Sequence, residues 1–160
     1  EALVEPVRSW ALASSVGYAS AQEIDQWGII AALRLAGHRA LADVADRGLV
    51  PGGVLLDGSH NWLSAPDDLF GALDGPEDPF GRELPVHMQV KADASCAVVA
   101  AASVLAKVAR DHLMQGLDDP GYGWASNKGY GSAAHARAIG ELGVSDYHRR
   151  SWKMPTQATK

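Results

Sequence analysis

Between Leu84 and Asp111 the hydrophobic period changes once, and that change constrains the fold more than any other feature of the chain. In Leu84-Pro-Val-His-Met-Gln-Val90, Val86, Met88 and Val90 alternate with polar residues, the pattern of a half-buried strand. After Asp93, Cys96, Val99, Ala100, Ser103, Val104, Lys107, Val108 and Asp111 recur at helical spacing. A carboxylate therefore stands where a strand hands over to a helix. Ala100, Ala101 and Ala102 let that helix press its backbone against a neighbouring layer, while Ser103, Lys107 and Asp111 line one face a turn apart. The expectation is a tightly packed helix beside a charged site.

A second strand is predicted from Gly52-Gly-Val-Leu-Leu-Asp57-Gly58, where an apolar triplet follows a glycine pair and ends on an acid. Such a triplet suits a buried parallel strand, and open α/β sheets gather ligands at the carboxyl ends of their strands. An Asp-Gly turn is the common alternative for Asp57, and the residues by themselves favour it. Upstream, Ser9 to Gly17 predicts a short strand with Trp10 and Leu12 on one face. Ser20 and Glu23 form a capping box, opening a helix that carries Ile24, Trp27, Ile30, Leu35, His38 and Leu41 and closes near Gly48. His38 reads as a packed histidine, and Glu23 and Asp25 as surface acids complementing the helix dipole.

Residues 59–82 are rich in Pro, Gly and Asp and predict a loop tacked down by Trp62, Leu63, Leu69 and Phe70, with Asp67, Asp68, Asp74, Glu77 and Asp78 solvated. Leu117 to Ser132 is dense in glycine and aromatic residues, which composition alone makes a turn-rich loop. Ser132 is placed to cap a helix over 133–142.

A length of 160 residues suits one domain. No apolar run reaches the length of a membrane span, and a lone cysteine, Cys96, excludes an internal disulfide framework and a cysteine zinc cluster. The net charge of −5 is unevenly spread: residues 1–90 hold five Lys or Arg against thirteen Asp or Glu, and residues from Lys128 onward hold six against two. Phosphate binding requires a local positive stripe, not a positive total; a solvated basic end is the other reading of the same charges. No nucleotide-cofactor motif stands out.

Lys91-Ala-Asp93 followed by Ala101-Ala-Ser-Val-Leu-Ala-Lys-Val-Ala-Arg-Asp111 resembles ribonuclease HII, the type 2 bacterial ribonuclease H. That family writes the region as Lys-Gly-Asp and then Ala-Ala-Ser-Ile-Leu-Ala-Lys-Val-x-Arg-Asp. Val54-Leu-Leu-Asp-Gly58 is similar to its Val-Leu-Ile-Asp-Gly, and Glu23-Ile-Asp25 to its Glu-Ile-Asp. Asn127-Lys-Gly-Tyr-Gly-Ser132 resembles His-Lys-Gly-Tyr-x-Thr, and His148-Arg-Arg-Ser-Trp152 resembles His-Arg-Arg-Ser-Phe. The matches keep the family's order and cover nearly all of the chain. The family's Gly-x-Asp-Glu-x-Gly-Arg-Gly motif and its Asp-Ser-Lys-Lys-Leu-Ser stretch have no counterpart in residues 1–56.

The resemblance implies an α/β fold, a ribonuclease H-like mixed sheet flanked by helices, with its N-terminal strands missing from this chain. Residues 1–154 would be a partial catalytic domain, with 59–82 an inserted loop, 117–154 the substrate-contacting part and 155–160 a disordered tail. It implies an endoribonuclease that hydrolyses the RNA strand of RNA–DNA hybrids, and cuts at ribonucleotides embedded in duplex DNA, by a two-metal-ion mechanism. Asp57 and Asp93 are then catalytic ligands of Mg2+ or Mn2+; Lys128, Tyr130, His148 and Arg149 bind substrate; Lys107 and Asp111 support the site with Arg110. A cytoplasmic location, no membrane partner, and a monomer once the N-terminal part is present complete the expectation. The 160 residues alone are expected to be inactive and to bury Trp10 and Val54–Leu56 poorly. Two other readings are a non-catalytic nucleic-acid-binding fragment and an unrelated Mg-dependent phosphohydrolase using Asp57. The second is weaker, because no second Asp follows Asp57 at short spacing.

Overall fold

A computed structural model describes residues 1–65 and 75–153. Helix α1 (Val4–Trp10) leads to α2 (Ala21–Asp46), then strands β1 (Val54–Asp57) and β2 (Val86–Gln89), the short helix α3 (Ala92–Ser95), the long α4 (Ala97–Gly116), the single turn α5 (Trp124–Asn127) and α6 (Ala133–Leu142). Among the described residues this is a mixed α/β arrangement with a two-stranded sheet, compatible with a ribonuclease H-like fold. The expected solvated acids Asp67, Asp68 and Asp74, the apolar tacks Leu69 and Phe70, and the tail at 155–160 lie outside the described residues.

β1 and β2 pair in parallel, with Val54 opposite Val86 and Asp57 opposite Gln89. Parallel strands need a crossover connection, which the segment between them supplies. The capping box at the start of α2 forms as predicted: Ser20 Oγ accepts from the Glu23 amide at 3.1 Å, and the Glu23 carboxylate accepts from the Ser20 amide at 2.8 Å. Gly48, at φ 82°, lies just beyond the end of that helix. Ser132 caps α6 by accepting from the His135 amide at 3.1 Å.

Three expectations are corrected. The strand predicted at Ser9–Gly17 is not formed: Val4–Trp10 is helical, and residues 11–20 pair with nothing in the sheet. Leu12 is 95% exposed and Trp10 59%, so the apolar alternation that suggested a strand meets no apposed layer among the described residues. The single helix expected after Asp93 is two helices, because Cys96 adopts an extended conformation (φ −125°, ψ 116°) between α3 and α4. Its alanines are not fully buried: Ala100 and Ala101 are half-buried and Ala102 is exposed. β1 is buried only through Leu56, at 6% exposure, while Leu55 beside it and Met88 of β2 reach 37% and 47%.

The best-packed region lies instead near the C-terminal end. Trp124 is buried and stacked on Tyr122 with ring centroids 5.0 Å apart, and Ala138, Ile139, Met114 and Leu117 pack around them. At the other end, Gly17 lies against α2 so closely that a Cβ there would stand 1.8 Å from the Ala36 carbonyl oxygen and 2.9 Å from the Ala40 nitrogen. Both are helix backbone and cannot step aside. Gly17→Ala is therefore expected to cost about 3 kcal/mol and to lower the thermal midpoint by roughly 6–12 °C. Gly52→Ala, where a Cβ meets nothing within 4 Å, should leave the midpoint within about 2 °C; calorimetry of the two variants checks both.

Candidate active site

Asp57 is the last residue of β1, and its Oδ1 accepts a hydrogen bond from the Ala92 amide at 2.9 Å. Ala92 opens α3 and is fully buried, so the residue after it, Asp93, enters the first turn of α3 directly beside the end of β1. The turn into α3 is made by Lys91 in the left-handed region (φ 56°), not by the residue standing where the family writes glycine. Alanine at position 92 therefore fits without strain. Both aspartates are exposed to solvent. Among the described residues no group of three or more His, Cys, Asp or Glu side chains is arranged to hold a metal ion. The two carboxylates are hard oxygen donors, the donor type that Mg2+ or Mn2+ takes.

Asp93 opens onto a groove of about 560 Å³ that is also lined by Ala100, Ser103, Val104 and Lys107 of α4. Lys107 links this groove to a second cluster. Its Nζ lies 2.5 Å from Asp111 Oδ2 and 5.4 Å from the centre of the Tyr130 ring. The pair holds each partner in its charged form: the Asp111 carboxylate raises the Lys107 pKa, and the Lys107 ammonium lowers that of Asp111. Arg110 sits over the other part of Tyr130, with Cζ 4.8 Å from the ring centre, and donates to the Lys128 carbonyl at 2.7 Å. Tyr130 itself is 53% exposed. The loop that presents it is confined: Lys128 and Gly129 both take positive φ (53° and 73°), and a Cβ on Gly129 would meet Met114 at 2.9 Å.

The remaining residues expected to bind substrate are placed differently from one another. The Lys128 ammonium folds back to donate to the Ala125 carbonyl at 2.5 Å, so in this conformation it closes the end of α5. Arg149 stacks on Trp152, its Cζ 4.1 Å from the ring centre. His148 is only 9% exposed, and its ring lies 4.8 Å from Tyr122 and 5.3 Å from His135. Its Nδ1 accepts from the Ser145 amide at 3.0 Å, while buried Nε2 has no protein partner among the described residues. That burial suits a packing group better than a phosphate ligand.

Three further residues acquire roles that the sequence reading did not give them. Asp119 accepts from the amides of Gly121, Tyr122 and Trp124 at 3.0, 2.6 and 2.7 Å. Although desolvation raises its pKa, those bonds dominate and lower it. The signal was an Asp opening a Gly-rich turn, the setting in which a short carboxylate bonds its own downstream amides. Asp78, read as solvated, instead bonds His38 Nδ1 and the Phe80 amide, pinning the inserted loop to α2. Asp25 accepts three hydrogen bonds from Arg150 and Ser151.

Residues 8–155 match the family described as Ribonuclease HII. The chain belongs to the ribonuclease HII family. It is 41% identical over 152 residues to the ribonuclease HII of Streptomyces avermitilis, covering 94% of this chain and 57% of that protein. It is 42% identical to that of Streptomyces coelicolor, covering 91% and 55%, and 43% identical to that of Paracoccus denitrificans, covering 95% and 63%. The chain thus spans little more than half the length of the Streptomyces ribonucleases HII it matches. Among the described residues no helix is long and apolar enough to cross a membrane.

The buried His148 gives this ribonuclease HII chain an acid sensitivity. Burial pushes its imidazole pKa below the ordinary 6.5, and the neighbouring His135 pushes it the same way. Folded His148 then resists a proton that the unfolded chain accepts, so stability is complete above pH 6.5 and falls as the pH drops below it, until the folded ring also protonates. His148→Phe, which keeps a ring in the cluster, should flatten this part of the stability curve. Urea titrations at successive pH values read it directly, and an unchanged slope in the variant would assign the acid sensitivity to other groups.

Proposed function

We propose that this chain carries half of the catalytic centre, and most of the substrate-positioning surface, of an endoribonuclease. The proposed enzyme hydrolyses the RNA strand of RNA–DNA hybrids and cuts at ribonucleotides embedded in duplex DNA. The observation that carries this reading is the continuity of one face: Asp57 bonded to the amide before Asp93, Asp93 sharing a groove with Lys107, and Lys107 beside Tyr130. Two carboxylates and an exposed aromatic ring on one surface suit a charged backbone whose sugar must be gripped and whose phosphate must be attacked.

Within this reading Asp57 and Asp93 would hold Mg2+ or Mn2+, which would supply activation of a water and stabilisation of charge on the leaving oxygen. The Ala92 amide fixes the Asp57 carboxylate in one orientation, so little conformational freedom is lost on binding. Tyr130 packs on the sugar at the RNA–DNA junction, its ring held by Arg110 and Lys107. Arg149 engages the backbone through its guanidinium, and Lys128 does so once its ammonium leaves the Ala125 carbonyl. Asp111 neutralises Lys107 and keeps it extended along α4.

A finer reading of the fold accompanies this one. Residues 11–16, Leu105, Val108 and Ala109 line a cleft of about 1,030 Å³, and Leu55 and Met88 leave apolar surface open on the sheet. Further strands bearing the remaining carboxylates would complete both. The competing reading, a non-catalytic nucleic-acid-binding fragment, draws support from the two-carboxylate donor set, and one experiment separates the two. The 160-residue chain, and the same chain fused to the N-terminal segment of the Streptomyces avermitilis protein, are assayed on a labelled hybrid with Mg2+ and with Mn2+. The chain alone is expected to show little or no product, and the fusion to show metal-dependent cleavage that falls at least about 100-fold with Asp57→Asn or Asp93→Asn. Cleavage by the chain alone, or a fusion indifferent to both substitutions, would refute the assigned roles.

A further inference from the structure

The Glu23-Ile24-Asp25 element lies in the first turns of α2, ahead of a break in that helix at Gly28 (φ 79°, ψ 165°). Helical residues two apart point about 200° away from each other, so Glu23 and Asp25 reach opposite ways. Glu23 forms a bidentate pair with Arg39, at 2.6 and 3.0 Å, on the far side of the break, and Arg39 also donates to the Tyr18 carbonyl at 2.7 Å. This brace ties the short first segment of α2 to the long second one. The Arg39 guanidinium holds the Glu23 carboxyl at about 2, so the brace stays charged throughout the neutral range.

On its other side the same segment grips the C-terminal turn. Asp25 accepts from the backbone amides of Arg150 and Ser151, each at 2.8 Å, and from the Ser151 hydroxyl at 2.5 Å. Three donors on one carboxylate, contributed from 125 and 126 residues away along the chain, fix both the position and the tilt of that turn. What the turn displays is Arg149 stacked on Trp152, with Trp152 half exposed. A guanidinium lying on an indole face keeps its edge N–H groups free to meet a phosphate.

We propose that Glu23 and Asp25 are a two-sided clamp, and that Asp25 is a positioning residue that holds the Arg149–Trp152 pair ready for the nucleic-acid backbone. The inference rests on the hybrid-cleaving reading above. Without the clamp the turn remains in the chain but its side chains must be ordered during binding, which weakens association and leaves the carboxylates untouched. The loss therefore falls on KM more than on kcat.

The test uses the fusion described above and its Asp25→Ala, Arg149→Ala and doubly substituted forms. Binding to a fluorescent RNA–DNA hybrid is measured by anisotropy in EDTA over a range of KCl concentrations, beside steady-state cleavage. Asp25→Ala and Arg149→Ala should each weaken binding about 5-fold and reduce the salt slope by about 1. The double variant should be no weaker than Arg149→Ala, because the two residues act through one contact. Independent, multiplying losses, or an Asp25→Ala variant with unchanged KM, would overturn the clamp. Should Asp25→Ala melt below the assay temperature, Ser151→Ala removes one of the three donors and carries the same test, with a loss of about 2-fold and the same non-additivity. A parent protein that fails to bind hybrid refutes the functional reading itself; a parent that binds, with Arg149→Ala unaffected, refutes only the clamp.

Discussion

The hydrogen bond from the Ala92 amide to Asp57 fixes the start of α3 against the end of β1. β1 ends at Asp57 and β2 ends at Gln89, opposite it in the ladder, so the chain leaving β2 must turn at once if it is to present an amide to Asp57. Lys91 makes that turn in the left-handed region, at a backbone cost of about 1 kcal/mol for a residue with a Cβ. A charge-assisted amide bond offsets a strain of that size, and burial of Ala92 seats the start of α3 against the sheet. Geometry at the strand ends is therefore held by a balance of strain and hydrogen bonding, not by a deep core beneath it.

The packing follows the same division. The sheet is thin, with Leu56 its one well-buried apolar side chain among the described residues, whereas Tyr122, Trp124 and Ile139 form a close-packed cluster at the opposite end of α4. α4 spans the two. Near its middle Lys107 faces the groove that contains Asp93, a turn later Arg110 reaches the Lys128 carbonyl and the Tyr130 ring, and Met114 packs with the aromatic cluster. A rigid helix transmits the order of the aromatic cluster to the exposed face. For that reason Tyr130 can be half exposed and still be aimed.

Much of this could be read from residue types and spacing, because the signals were local. The Ser20–Glu23 box, the Ser132 cap and β1, which ends on Asp57, each formed where local chemistry put it, and β2 formed within the alternating run at 84–90. What escaped depended on partners distant in sequence. Asp25 reads as a solvated acid until Ser151 arrives at its carboxylate, and Asp78 reads likewise until His38 does. His148 sits in a run of charged residues, yet folding back against Tyr122 and His135 buries it. Trp10 and Leu12 erred in the other direction: alternation indicates a surface that is able to pair, and pairing requires a neighbour at the right place.

Charge gives the last link between this geometry and a cation-dependent reaction. Asp57 accepts from the Ala92 amide, and Asp93 is the next residue along α3, so two acids lie close to the strand ends. Lys107 lines the groove that Asp93 opens onto, and its ammonium is already committed to Asp111. Among the described residues neither Asp57 nor Asp93 enters an ion pair of its own. Lys107 thus contributes to the shape of the groove and to the setting of Tyr130 without cancelling the charge at the strand ends. Under the proposed function this separates the roles along the shared face: the two acids stand where a cation would be held, and Lys107, Arg110 and Tyr130 where backbone and sugar would be met.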